Sequence, residues 1–499
     1  MLHLSSVDLQ REKMKALFVF VCEDRPIHTD PVVASLVTRA LAIEEFKGKK
    51  DHEITFYEPP EVAADRVVLQ GLGKAETLDA EIFRQAAGKS LRRGRTLGLP
   101  RMGLVAPDAG AAGMAEVDLL RALLEGAFLG NHVFDRYKQE KETQPLVRVD
   151  IVVPASSVAR HRRLVFEVET ICSETLRARE WVNLPSNAKP PVELAALITR
   201  DAKAQGLAVE VLAEKELRHK NMGALLAVAA GSANPPAMVI LRHGVSRRPP
   251  VVLVGKGVTF DSGGINIKTG DSLIDMKGDM AGAAAVAATL IAAARLKLKQ
   301  HLIGVIPLVE NMVSGRSSRP GDIVRTFSGK TVEIGNTDAE GRLILIDAMA
   351  YAEKRFSPEV MIDLATLTGA CVVALGEKIA GVFSRDEALQ KAIVAAGRRT
   401  HERCWPMPLP ADYKELLKSP YADISNMPST RYGGAISAAL FLSEFVGKTR
   451  WAHIDIAGPG FHKKEDAYCG AGGTGFGVRL MLDWLMSADR NVPETTAAR

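Results

Sequence analysis

The sequence predicts an α/β protein of two α/β domains. A smaller N-terminal domain spans 1–165, and a larger one over 191–499 has a mixed, mostly parallel sheet flanked by helices. A bridging helix and linker over 166–190 join them. Three observations predict this class. Apolar runs rich in β-branched residues alternate with helical patterns, the order that builds mostly parallel sheets. Several runs in the second domain are almost wholly apolar, as strands covered on both faces are. Between the domains the segment LPSNAKPP, from Leu184, halts a long helical pattern through its Pro and Asn residues.

In the first domain KALFVFV (from Lys15), RVVLQGLG (Arg66), RMGLVAP (Arg101) and LVRVDIVVP (Leu146) read as strands. VVASLVTRALAIEEF (Val32) and AEVDLLRALLEGAFLG (Ala115) read as helices. The bridge is helical from Arg160 to about Glu180 and ends before Asn183. Strands of the second domain are AMVILRH (Ala237), PVVLVG (Pro250), LIGVIPLV (Leu302), VMIDLATL (Val360) and WAHIDIAG (Trp451). The longest apolar run, Met280 to Ala294, is too short and Ala-rich for a membrane span and reads as a buried helix, so no membrane association is expected.

The bulk numbers exclude several classes. With 47% hydrophobic and 25% charged residues, the 499-residue chain is ordinary for a globular protein. A formal net charge of +5 is a mild excess over this length and no nucleic-acid signature by itself. The five cysteines are odd in number, widely spaced and free of CxxC, which argues against a disulfide framework or thiolate zinc site. MLHLSSVDLQREKMK lacks a secretory pattern, so a cytoplasmic location is expected.

Sites in such folds lie beyond the C-terminal ends of strands. After PVVLVG comes Lys256-Gly-Val-Thr-Phe-Asp261-Ser-Gly-Gly-Ile-Asn-Ile-Lys268, and then Met276-Lys277-Gly278-Asp279. Asp279 alone reads equally well as a helix cap. The second motif, Asn336-Thr-Asp338-Ala-Glu340-Gly-Arg342-Leu343, follows KTVEIG and opens the helix RLILIDAMAYAEKRF. Alone it reads as a solvated turn whose acids suit a helix N-terminus. Together the motifs offer four carboxylates at strand ends of one domain. Such oxygen ligands bind hard or borderline divalent cations, and two metals can share bridging carboxylates. Lys256, Lys268 and Arg342 are candidates to balance charge or stabilise an oxyanion.

NTDAEGRL resembles the signature octapeptide of the leucyl aminopeptidase (cytosol aminopeptidase) family. VGKGVTFDSGGINIK and MKGDMAGAAAV are similar to its other metal-site segments, at the usual spacings. DLATLTGA, WPMPL, HIDIAG and the bridge segment RAREWVNLPSN also match. In the first domain the likeness rests on QGLGKAE and EGAFLGNHVFDRYK. The resemblance implies a metal-dependent aminopeptidase with two divalent ions per subunit, Mn or Zn. One would be held by Lys256, Asp261, Asp279 and Glu340. The other would be held by Asp261, Asp338 (side chain and main-chain carbonyl) and Glu340. It further implies that the metals hold the peptide's free amine and scissile carbonyl, and that leucine or similar hydrophobic residues are preferred at the N-terminus. Lys268 would donate to the oxyanion, and Arg342 would anchor a bicarbonate acting as general base. Leu367 would bind substrate by its backbone, and Met276 and Ala457 would shape the first side-chain pocket. A homohexamer is implied as well. Gly278, Gly460 and Phe461 stand where the family varies, which leaves side-chain preference open.

Other residues read as ordinary. His453 fits a packed core histidine, Cys371 a small buried hydrophobe, and LRRGR (from Leu91) a solvated basic face; no HExxH or HxxEH occurs. LRRGR also supports a competing class, since some bacterial members of the family bind DNA; that role is not expected here. A binuclear phosphoesterase built on the same ligand types is the third reading, opposed by the intact octapeptide.

Overall fold

Apolar β-branched runs become strands in the computed structural model, which describes residues 2–141, 146–245 and 248–490. The chain divides into two units. One comprises the residues up to Ser173 with Lys464–Gly470; the other comprises Glu174–Lys463 with the residues from Ala471 on.

The first unit holds a six-stranded sheet of β1 (Leu2–Ser5), β2 (Leu17–Cys22), β3 (Glu53–Tyr57), β4 (Arg66–Gly73), β5 (Arg101–Val105) and β6 (Arg148–Val152). Their order is β1-β6-β5-β2-β4-β3. All neighbours are parallel except β3, antiparallel on β4. β2 is buried at every position. β1 and β3 are edge strands with mostly half-exposed residues, so they carry no apolar run. The helix expected from Val32 to Phe46 spans only Pro31–Leu41, capped by the Asp30 side chain; beyond it the chain turns and returns Phe46 to the same core as Val33, Leu36 and Val37. Helices Ala80–Thr96 and Glu116–Gly130 approach through glycines: a Cβ on Gly126 would lie 2.0 Å from the Arg84 carbonyl oxygen. Arg84 is buried between them and ion-paired to Glu81 and Glu125.

The second unit is built on β7 (Ala208–Ala213), β8 (Ala237–His243), β9 (Val251–Gly255), β10 (Gly257–Asp261) and β11 (Leu302–Asn311). β12 (Ile323–Arg325), β13 (Thr331–Glu333), β14 (Val360–Ala365) and β15 (Ala380–Ser384) follow. β16 (Cys404–Met407), β17 (Ile424–Ser425) and β18 (Arg450–Asp455) come next, and a short hairpin pairs Phe461–His462 with Gly472–Gly473. Nine of these strands form one sheet, β16-β15-β18-β14-β9-β11-β8-β7 with β10 beside β11; β12, β13 and β17 form a small second sheet. The central strands β18, β14, β9 and β11 are mutually parallel, and β8, β7 and the β15–β18 pairing supply the antiparallel part. Helix Glu340–Phe356 packs Leu343, Ile344 and Ile346 into a core with Val252, Val254, Ile303 and Val305.

Helix Ala281–Leu296 is buried along most of its length. The stretch Ser272–Arg295 has a membrane span's length and apolarity, but 89% of that window lies buried inside the protein. The helix reaches the strand ends because glycines allow it. A Cβ on Gly282 would sit 2.1 Å from the Leu364 carbonyl oxygen, and one on Gly255 would sit 2.5 Å from that of Gly282. The bridging helix, Arg162–Asn183, runs through Asn183 rather than ending before it. Its last turn is held by buried Lys189, whose Nζ donates to the carbonyls of Trp181 (2.9 Å), Val182 (2.7 Å) and Lys277 (2.8 Å). Burial pushes that ammonium's pKa well down.

Candidate metal centre

The chemistry gathers where the parallel strands end, as open α/β sheets dictate. Lys256 follows β9, Asp261 ends β10, Asn311 ends β11, Thr366 and Leu367 follow β14, and Asp455 ends β18. After Asp261, Gly263 and Gly264 take positive φ (87° and 67°), a conformation few other residues adopt without strain. The chain thus doubles back until the Lys268 N–H reaches the Ser262 carbonyl (2.9 Å). Thr337 clamps this loop to the second motif: its hydroxyl donates to the Gly263 carbonyl (2.7 Å), and its N–H donates to Asn266 Oδ1 (2.9 Å).

Two lysines bridge the carboxylates. Lys256 Nζ lies 2.8 Å from both Asp279 Oδ1 and Glu340 Oε1, and donates to the Thr366 carbonyl at 2.8 Å. Lys268 Nζ lies 2.8 Å from Asp261 Oδ2 and 2.5 Å from Asp338 Oδ1. Asp261 Oδ1 also accepts from Gly263 N (2.9 Å) and Asn311 Nδ2 (2.8 Å), and Asp279 Oδ1 accepts from the Thr366 hydroxyl (2.7 Å). Gly341 is needed here, because a Cβ would lie 2.7 Å from Lys256 Nζ. Two expectations for isolated residues are corrected. Asp279 does not cap the following helix, which starts without a side-chain cap, because its carboxylate is occupied by Lys256 and Thr366. The second motif is no solvated turn, since Glu340 is buried.

Four carboxylates facing two ammonium groups crowd negative charge into a largely buried site. Burial, then Glu340, pushes Asp261 up to about 6. Burial pushes Asp279 well above the usual carboxylate range, and Asp338 upward as well. For Glu340, burial works upward but is outweighed by Lys256 and Lys268, which hold it low. Burial works to lower both lysines, and the surrounding carboxylates outweigh it and raise them. Ligand oxygens of Asp261, Asp338 and Glu340 all lie within 4.8 Å of one another. The buried Asp279 Oδ2 has no hydrogen-bond partner among the described residues. Clustered oxygen donors, one of them orphaned, fit a hard or borderline divalent cation.

Beside this cluster Arg342 Nη1 donates to the Asn426 carbonyl (2.8 Å), while its buried Nε has no partner among the described residues. Burial lowers its guanidinium to about 10, against Glu340 and Asp455. Buried Asn426 braces the second motif by accepting from Gly335 N (2.7 Å) and donating to the Asn336 carbonyl (2.8 Å). Asn311, Thr366, Asn426 and Asp455 were not singled out from sequence. All four stand at or just past a strand end, and Thr366 and Asp455 also lie within the family-like segments DLATLTGA and HIDIAG.

The model of the cytosol aminopeptidase family, catalytic domain, matches residues 176–482, and that of the family's N-terminal domain matches 25–141. The chain belongs to the cytosol aminopeptidase family. It is a metallo-aminopeptidase, a hydrolase acting on peptides. A probable cytosol aminopeptidase of Nitratidesulfovibrio vulgaris is 42% identical over 487 residues, covering 94% of this chain and 95% of that one. A relative of the same description from a Geobacter species is 43% identical, covering 91% and 92%. Among solved structures, the bottromycin maturation enzyme BotP in complex with Mn superposes with a TM-score of 0.85 at 34% identity, covering 95% of this chain and 99% of that one. A mutant of tomato leucine aminopeptidase superposes at 0.86 and 30% identity, covering 97% and 96%.

Other readings from sequence are resolved within this family fold. His453 is a hydrogen-bonded core histidine: Nδ1 meets Asp363 Oδ1 at 2.6 Å, and the ring stacks with Phe383 and Trp451. Cys371 is buried, with its thiol pushed up to about 12, first by burial and then by Asp455. The LRRGR cluster is no free basic face: Arg92 pairs with Glu465, Arg93 with Glu53, and Arg95 donates to the His132 carbonyl.

Proposed function

We propose that this chain releases N-terminal residues, with leucine and similar hydrophobic residues preferred, by a hydrolysis using two divalent ions, Mn or Zn, per subunit. The observation that carries this reading is the convergence of Asp261, Asp279, Asp338 and Glu340 on Lys256 and Lys268. Lys256, Asp261, Asp279 and Glu340 would hold one ion, and Asp261, Asp338 and Glu340 the other. The orphaned Asp279 Oδ2 and the BotP structure described with Mn support the metal reading. Bound ions supply Lewis-acid polarisation of the scissile carbonyl and activation of water.

The chain's own residues do the rest. Lys268, a protonated ammonium at the edge of the cluster, donates to the oxyanion that develops on the carbonyl. Arg342 presents a buried, unpartnered N–H, the donor a bicarbonate would need to stay beside the water as general base. Leu367 binds substrate by its backbone, and Met276 and Ala457 bound the pocket for the first side chain. The same reading takes 1–165 as the first domain, 166–190 as the bridge and 191–499 as the catalytic domain. It includes a homohexamer and a cytoplasmic location, the latter in line with the relatives' descriptions.

Two assays test it together. Chelation should abolish hydrolysis of leucyl amide, and added Mn or Zn should restore it. N-Acetyl-leucyl amide should resist cleavage, because acetylation removes the free amine. Full activity in metal-free protein, or cleavage of the blocked amide at the same rate, would refute the mechanism.

A further inference from the structure

We propose that Asp455 is a positioning residue that sets the substrate-binding backbone at the ends of β14 and β18; this rests on the substrate-binding roles of Leu367 and Ala457 proposed above. Asp455 is the last residue of β18, and its carboxylate is buried. Oδ1 accepts from the N–H groups of Leu367 (3.2 Å) and Ala457 (3.1 Å), and Oδ2 accepts from the Thr368 hydroxyl (2.7 Å). One carboxylate thus ties together two loops that leave neighbouring parallel strands, in register from Val360–Arg450 to Ala365–Asp455.

The loop it holds lies on the metal centre. Thr366, beside Leu367, touches Lys256 through its carbonyl and Asp279 through its hydroxyl. Thr368 in turn caps helix Gly369–Leu375 by accepting from Cys371 N (3.0 Å). A buried carboxylate with three donors is a rigid anchor, because a buried charge is costly to leave without its hydrogen bonds. The anchor meets substrate-binding residues rather than the carboxylates of the cluster. Its loss should therefore weaken productive binding and leave the ions in place.

The test compares Asp455→Ala, Asp455→Asn and Thr368→Val with wild type. All are loaded with Mn and assayed on leucyl p-nitroanilide, with metal content measured in parallel. In Asp455→Ala, KM should rise about tenfold or more, with kcat changing by less than about threefold and metal content unchanged. Asp455→Asn keeps the Oδ1 acceptor and should restore KM to within about threefold of wild type. Thr368→Val should raise KM to a smaller extent, and carries the test if Asp455→Ala does not fold. An unchanged KM in Asp455→Ala, or in Thr368→Val where that variant carries the test, would overturn the inference. So would loss of metal, or an Asn variant as impaired as the Ala variant, which would place the effect in the charge facing Arg342. A wild type inactive on leucyl p-nitroanilide would refute the leucine preference proposed above, whereas an active wild type with unaffected variants refutes only this step.

Discussion

Lys256 and Lys268 belong to one motif, yet their surroundings differ. The Lys256 side chain is 3% exposed and locked between Asp279, Glu340 and a carbonyl; Lys268 is 17% exposed and rests between buried Asp261 and the partly exposed Asp338. Lys268→Ala should therefore lower kcat by roughly 10²–10³-fold, the loss typical of one oxyanion donor, with metal content nearly unchanged. Lys256→Ala should weaken metal binding at one site. Metal analysis beside steady-state kinetics separates the two, and loss of metal as severe in the first variant as in the second would contradict the assignment. Gly341 supplies a further test. A methyl group there would lie 2.6 Å from Lys256 Cε, so Gly341→Ala should displace the lysine and lower metal affinity without replacing a proposed ligand. Titration calorimetry with Mn reads this directly.

Between elements, the decisive contact is the approach of helix Ala281–Leu296 to β9 and β14. Small residues set its distance, and Asp279 lies just ahead of its first turn. In Gly282→Ala the new methyl would meet the Leu364 carbonyl at 2.1 Å, so the helix must shift. Overpacking of this kind costs about 1–3 kcal/mol. The expected outcome is a lower Tm together with weaker metal binding, because Asp279 moves with the helix. A variant that loses stability but keeps wild-type metal affinity would show that Asp279 is held by Lys256 and Thr366 alone. Helix Glu340–Phe356 behaves differently: its first residue, Glu340, is a buried member of the cluster, so helix start and site are one feature of the chain.

At the scale of the molecule, one buried histidine gives the first unit a pH response. His28 meets the Phe20 carbonyl at 2.8 Å, and burial lowers its pKa to about 4, against that bond and the charges of Asp30 and Asp108. Between pH 4 and the ordinary value of 6.5 the His28 ring holds fewer protons in the folded state than in the unfolded chain. The contribution of His28 to the stability of the first unit therefore rises with pH through that window and is lost as pH falls through it. The shift corresponds to roughly 3 kcal/mol. Hydrogen exchange in the first unit at pH 4.5 and 7 should show this slope, and His28→Gln should flatten it. The proposed assembly is checked by mass in solution: six times the chain mass is expected, and a stable, fully active monomer would contradict it.

Much of this was legible in the residues themselves. Strands such as VVLVG and LIGVIPLV are apolar on both faces because helices cover both, so their composition alone marked them. The carboxylates of the centre sit in two short local motifs, and local patterns survive reading in one dimension. Sequence by itself therefore determined the α/β class, the central strands and the candidate ligands. The edge strands β1 and β3 were not legible, because half-exposed strands have no apolar signature. Tertiary structure alone decided which lysine faces which carboxylate, and that Asn311 braces Asp261, Thr366 braces Asp279 and Asp455 braces Leu367. Each of those partners is distant in the chain and meets its neighbour only because parallel strands place their C-terminal ends side by side, a consequence of register that no local pattern carries.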